Sequence, residues 1–328
     1  MNSFQRKTIS STQQETKYVL IESYSDSRCG TFPPNKVKQV TTINAHKTFV
    51  QCMLILKDGR LATGSRDETI KIWNLNYRNK LDLVLKGHTN SVSQIIQLEN
   101  LQVVSVDFSS LLVWNIQMHS YTLVCKIPFH LKEILNSVAE LNNERLVTIS
   151  EYHIVLWERN NSSYSIKETK DIGYQSVLTL KKKAVFVSGS YDFVDFWNGN
   201  GFNLETRLTD IMCVGTNSLF QFSDNTLLVG GETSIYTINI ENKSKYQIIK
   251  VLTNYNMQYV YTFAKISDSA VMFGSDDGAI YEYNMEKDSI TFLNNDNSHE
   301  RQVDTMLRLT NRIFITGSYD GTVKIWRI

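Results

Sequence analysis

Seven stretches of the chain repeat one pattern at a nearly constant spacing, and that spacing limits the available folds more than any other feature. The final residues, "TGSYDGTVKIWRI" (Thr316 to Ile328), combine Gly-Ser, a variable residue, Asp, a short turn and an alternating apolar run into Trp. "RLATGSRDETIKIWNL" (Arg60 to Leu75) follows the same template. Five more segments follow it with decay: "LQVVSVDFSSLLVWNI", "RLVTISEYHIVLWERN", "AVFVSGSYDFVDFWNG", "TLLVGGETSIYTINIE" and "AVMFGSDDGAIYEYNM". The anchors Trp73, Trp114, Trp157, Trp197, Ile238, Tyr283 and Trp326 stand 41, 43, 40, 41, 45 and 43 residues apart, and all five tryptophans of the chain are among them. One match would mean little. Seven in phase mark stacked units with the period of a four-stranded propeller blade.

Upstream of each match lies a second short alternation, such as "VQCMLIL" or "VDTMLRL", followed by turn residues such as Lys57-Asp58-Gly59. Alternation with period two plus a turn reads as a hairpin of half-buried strands. No segment sustains a 3.6-residue period, so little helix is expected. The 328 residues suffice for a large core. Counted from the pattern, the last unit has only three strands by Ile328, while "VKQVTTINAH" (Val37 to His46) has the phase of an outer strand. Ile43 precedes His46 by the same interval as Leu85 precedes His88. The expected architecture is therefore all-β: a single seven-bladed propeller over residues 36–328, closed by an N-terminal strand that completes the last blade. Residues 1–35 are expected to be a partly disordered tail, with "KYVLIES" (17–23) at a blade edge or against the ring.

These segments resemble the WD40-repeat family over about residues 36–328. The resemblance implies a buried hydrogen-bonded set in each blade: the His of a Gly-His pair, a Ser or Thr on the second strand, the turn Asp and the Trp. Its members carry the donors and acceptors that burial requires. The expected full sets are His46, Ser65, Asp67, Trp73 and His299, Ser318, Asp320, Trp326. The other blades depart from it. Blade two has His88 and Trp114, with Asp107 one residue farther from the Trp and Phe108 at the turn position. Blade three offers His130 and Glu151; blade four Ser190, Asp192 and Trp197 without a His; blade five Glu232; blade six Ser275, Asp277 and Tyr283. Because these residues recur at a fixed phase, they read as blade supports, whereas catalysis needs one asymmetric cluster.

The charge balance, 34 basic against 33 acidic residues, gives no reason to expect a nucleic-acid or membrane surface. Cys29, Cys52, Cys125 and Cys213 are scattered, with no metal-ligand spacing. Reduced thiols in a cytoplasmic, alternatively nuclear, protein are the simplest reading. Phosphate-loop, nucleophile-elbow and HExxH motifs are absent from the sequence. Lys181-Lys182-Lys183 falls at a hairpin turn and reads as solvated. No catalysis, cofactor, metal or membrane insertion is expected. The expected role is a protein–protein interaction scaffold, a subunit of a hetero-complex that binds a protein or peptide motif. One alternative is the substrate-recognition subunit of a ubiquitin ligase; another is a nucleic-acid-associated propeller. Against the ligase, the third positions after the anchors are Asn76, Gln117, Asn160 and Asn200, where such receptors often carry Arg. The resemblance implies that the face bearing the His loops and Asp turns holds the partner. Position by position this gives Phe49, Gln51 and Arg66 in blade one, and Ser91, Ser93 and Asp107 in blade two. It adds Tyr191 in blade four, Asp276 in blade six, and Gln302, Asp304 and Tyr319 in blade seven.

Overall fold

The computed structural model describes residues 37–76, 79–129, 134–142, 144–213, 215, 217–253, 259–293 and 298–328. The expectations for the N-terminal tail and for His130 lie outside the described residues. The alternating segments form seven antiparallel four-stranded sheets. Their first strands, Val50–Ile55, Val92–Gln97, Leu135–Asn142, Ser176–Leu180, Leu219–Ser223, Val260–Lys265 and Val303–Arg308, touch in sequence order, and the last touches the first. They line a central channel, and the ring is closed. The helical segments among the described residues are two 3-10 turns, Lys181–Lys183 and Lys243–Lys245.

Closure follows the predicted phase. The strand Lys38–Asn44 pairs antiparallel with Thr322–Arg327, with Ile43 opposite Val323. It is the fourth strand of blade seven, so residues distant in sequence share that sheet. The backbone N–H of His46 then donates to the Gly321 carbonyl, which ties the loop after this strand to the last turn.

The core lies between blades, because each sheet hides both faces against its neighbours. Seven apolar clusters fill the seven junctions. Each anchor packs against the preceding blade: Trp114 joins Ile70 and Ile72 of blade one, Trp157 joins Val104 and Val113 of blade two, and Trp326 joins Met272 and Ile280 of blade six. Trp73 closes the circle among Ile315, Val323 and Ile325 of blade seven. The anchors recur because each is the apolar link to the blade before it. Close packing also explains the Gly-Ser motif. A Cβ on Gly64 would lie 2.6 Å from Cys52 Sγ and 2.8 Å from Val92, and one on Gly317 would lie 2.8 Å from Val50 of blade one.

Two kinds of bulge shape the blades. The outer strand carries an extra residue beside the anchor in blade one (Asp82, between the partners of Ile72 and Trp73), and the same shift recurs in blades two to five and seven. Such bulges increase local twist. A second shift lies near the start of the inner strands, at Gln51, Ser93, Asn136, Tyr261 and Asp304. These residues sit at the upper end of the channel, on the face where second strands turn into third strands.

Candidate functional site

The supporting sets were expected at other positions in part. In blade one the Trp73 indole N–H donates to Thr63 Oγ1 at 3.0 Å, and Thr63 meets His46 Nε2 at 2.7 Å. His46 Nδ1 lies 2.9 Å from Asp67. Blade seven repeats this with Trp326, Thr316, His299 and Asp320 at 2.7, 2.7 and 2.8 Å. The hydroxyls are therefore Thr63 and Thr316. Ser65 and Ser318, one strand period nearer the turn, instead accept from the backbone N–H groups of Asp67 and Asp320.

Burial lowers the pKa of His46 and His299 despite the neighbouring carboxylates. With the ring neutral, the chain has one direction: indole N–H to hydroxyl, hydroxyl to Nε2, Nδ1–H to carboxylate. Every member is satisfied, which fits a supporting role.

Blade two has the complete set, contrary to the expectation that Phe108 replaces the turn acid. Ser105 takes the Trp114 indole N–H at 2.7 Å and meets His88 Nε2 at 2.6 Å, and Asp107 lies 2.9 Å from His88 Nδ1. The hairpin here closes at the Asp107–Ser110 pair, so the carboxylate projects from the strand end itself. Asp107 is fully buried and unsuited to contact a partner.

Blade four replaces the set. Its acid is Asp195 on the third strand, not Asp192, which is exposed. Ser188, not Ser190, takes the Trp197 indole N–H at 2.8 Å. Asp195 accepts Tyr174 Oη at 2.6 Å and two hydrogen bonds from Arg207 at 2.8 and 2.7 Å. Tyr174 does the work of the missing His. In blades three and five, Glu151 and Glu232 are exposed, and Asp277 of blade six takes the Tyr281 hydroxyl.

Asp67, Asp107 and Asp320 titrate well below the usual range: burial pushes them up, but hydrogen bonds from His46, His88 and His299 with nearby donors outweigh it. A depressed carboxylate pKa gives stability that is present above the ordinary value of 3.8 and lost as pH falls below it. The melting temperature is expected to drop steeply between about pH 4 and pH 2. The Asp320→Asn variant should be less stable at neutral pH and show a shallower acid limb. Equal acid limbs would count against these carboxylates as the cause.

At the channel mouth the structure gathers many of the remaining predicted residues. The Phe49 and Tyr319 rings stack at 4.2 Å and 1° across the junction of blades one and seven. The Arg66 guanidinium sits 5.1 Å from the Phe49 centroid. Gln51 accepts a hydrogen bond from Ser91, and its side chain acts to lower the Tyr319 phenol against the effect of burial. Gln302 donates to Asp304 at 3.0 Å. Burial and then Asp304 push the Tyr319 phenol up to about 12. Ser93 is buried, donating to the Leu135 carbonyl at 2.8 Å, so it joins blades two and three. Tyr191 is 55% exposed on blade four. Asp276 lies near Tyr259 and Tyr261, and its carboxyl is raised by burial.

Sequence reasoning missed Tyr259 and Tyr261. They are the blade-six counterparts of Gln302 and Asp304, since Tyr261 is the bulge residue there. Counting from a His could not find them, because blade six has no matching His; the alternation "YVYTF" could have. Also missed was Asn217 of blade five, whose side chain donates to the carbonyls of Asp304 at 3.2 Å and Gln51 at 3.5 Å across the ring. Asn217 also lines a cavity of about 350 Å³ together with Met53, Leu219, Phe263, Met306 and Arg308. Among the described residues no group of three His, Cys, Asp or Glu is placed to hold a metal. No helix among them is long and apolar enough to cross a membrane.

The closed ring and the hydrogen-bonded sets define a seven-bladed β-propeller built from repeats of a single type. The family profile described as "WD domain, G-beta repeat" matches residues 37–74 and 290–327, the regions that hold the first and last complete sets. Similarity to known proteins runs the same way. A bromodomain and WD repeat-containing protein of Dictyostelium discoideum is 23% identical over 184 residues, covering 53% of this chain and 8% of that protein. A ribosome biogenesis protein WDR12 homolog of Drosophila mojavensis is 22% identical over 180 residues, 48% of this chain and 42% of its own length. An uncharacterized WD repeat-containing protein of Schizosaccharomyces pombe is 34% identical over 72 residues, 22% of this chain and 19% of that one. The chain thus spans less than half the length of each of these relatives. Together the two profile matches and the WD-repeat relatives support a WD40-repeat family for this chain.

Proposed function

We propose that the chain is a non-catalytic interaction module, a subunit of a larger assembly that holds a protein or peptide on its upper face around the channel mouth. The observation that carries this reading is the Arg66–Phe49–Tyr319 stack at the junction of blades one and seven. Stacked rings and a guanidinium offer large, rigid contact area, and aromatic residues and Arg are enriched at interfaces and their hot spots. The hydrogen-bonded sets of blades one and seven fix the turns that present Arg66 and Tyr319. The relative named for ribosome biogenesis is in keeping with membership of an assembly, and a role of that kind would favour a nuclear over a cytoplasmic location.

The test starts from a partner captured by affinity purification and identified by mass spectrometry. At least one of Phe49→Ala, Arg66→Ala, Tyr191→Ala and Tyr319→Ala is expected to weaken the purified complex about tenfold or more, a change of about 1.4 kcal/mol, with little change in melting temperature. If all four bind like wild type while lower-face substitutions such as Lys182→Glu abolish binding, the assignment of the face is wrong.

A further inference from the structure

Asp304 differs from the buried aspartates Asp107 and Asp195. Asp107 has His88, and Asp195 has Arg207. Asp304 is nine-tenths buried at the upper end of the channel, yet it forms no ion pair among the described residues. Its Oδ1 accepts from Gln302, while its Oδ2 has no hydrogen-bond donor among them. Its backbone is held from across the ring by Asn217. Burying a carboxylate without a cation is costly, and a purely structural role would be served better by an uncharged residue.

Its surroundings suit a positive guest. On one side stands the Phe49–Tyr319 stack, whose Phe49 ring already receives the Arg66 guanidinium, as aromatic faces do for cations. Asp304 also acts on the phenol of Tyr261, which pairs with Tyr259 at 5.8 Å. Asp276 adds a second carboxylate near Tyr261. We propose that the channel mouth receives one lysine or arginine side chain of a partner protein, whose head group pairs with Asp304 between the Phe49–Tyr319 wall and Tyr261. This rests on the reading of the upper face as the binding face and specifies the chemistry it recognises.

The site should also respond to pH. Burial pushes the Asp304 carboxyl up to about 7. The other groups that face it include Cys52, Tyr261 and Tyr319, which stay protonated there because burial raises each of them, Cys52 and Tyr261 furthest. Asp276 is raised as well, and the Arg66 guanidinium lies behind Phe49. An arriving cation needs the ionised carboxylate, so binding releases a proton and strengthens as pH rises through the pKa of Asp304.

The test is a titration of the full chain, followed by NMR, with N-acetyl-arginine amide, N-acetyl-lysine amide and the neutral N-acetyl-citrulline amide. At least one cationic amide is expected to bind, and to bind about tenfold more tightly at pH 8 than at pH 6, while citrulline does not. Asp304→Asn should abolish both the binding and its pH dependence. The variant should stay folded and melt higher than wild type at pH 8, since a carboxyl with a raised pKa loses stability as pH rises from about 4 to about 7. Equal binding of citrulline, unchanged binding by Asp304→Asn, or no binding of either cationic amide at about 50 mM would overturn the proposal. With the captured partner, loss on Tyr319→Ala but not on Asp304→Asn would leave the upper face as the binding face and remove the cation site.

Discussion

Deleting residues 1–43 is expected to lower the melting temperature by about 10 °C or more. The deletion removes the outer strand of blade seven and its pairing with Thr322–Arg327. It also takes Val37 out of the junction of blades six and seven, and Ile43 out of that of blades seven and one. Burial of two such side chains is worth about 3–6 kcal/mol, a large part of the stability of a typical domain. The third strand of blade seven would be left as an open edge, a template for aggregation. Hydrogen exchange should report the loss first within residues 300–328. Unchanged protection there would mean that the ring does not depend on this strand. Deleting residues 1–35, which spares the strand, should move the melting temperature by no more than a few degrees.

A loss of about 2–4 kcal/mol is expected for Asp195→Ala. The substitution leaves the Tyr174 hydroxyl without its acceptor and the Arg207 guanidinium without its carboxylate. Breaking a buried pair from one side typically costs about 3–5 kcal/mol. The value here is smaller because the Arg207 side chain is 38% exposed and can turn to water. Arg207→Ala should be comparably damaging, since it strands a fully buried charge and removes the guanidinium that lies 3.9 Å from the Phe193 ring centroid. A double-mutant cycle between positions 195 and 207, read by denaturant unfolding, should give a clear coupling energy. If the two losses simply add, Asp195 and Arg207 do not act as a pair.

Blade four shows how far the pattern could be read. Its anchor Trp197 and its strands fall where the repeat places them, because strand and turn signals are local. The acid that replaces the missing His–Asp pair is not in the turn, and no local signal ties Asp195 to Tyr174 and Arg207. Their partnership comes from the antiparallel register, which sets Asp195 opposite Arg207. Blade two shows the same limit from the other side: a hairpin one residue shorter moved Asp107 from the surface to the core, which counting from the anchor could not register.

By itself the sequence determined the number of blades, the strand order within them, the anchor on each third strand and the strand that closes the ring. Each of these follows from hydrophobic period and repeat phase, which are properties of the chain alone. The tertiary structure decided which hydroxyl meets which imidazole, that Phe49 lies on Tyr319, and that Asp304 is buried at the channel mouth with no ion-pair partner among the described residues. Those relations join residues from different strands or from blades that meet only when the ring closes. They depend on bulges and hairpin lengths, and a shift of one residue turns a side chain from one face of its strand to the other.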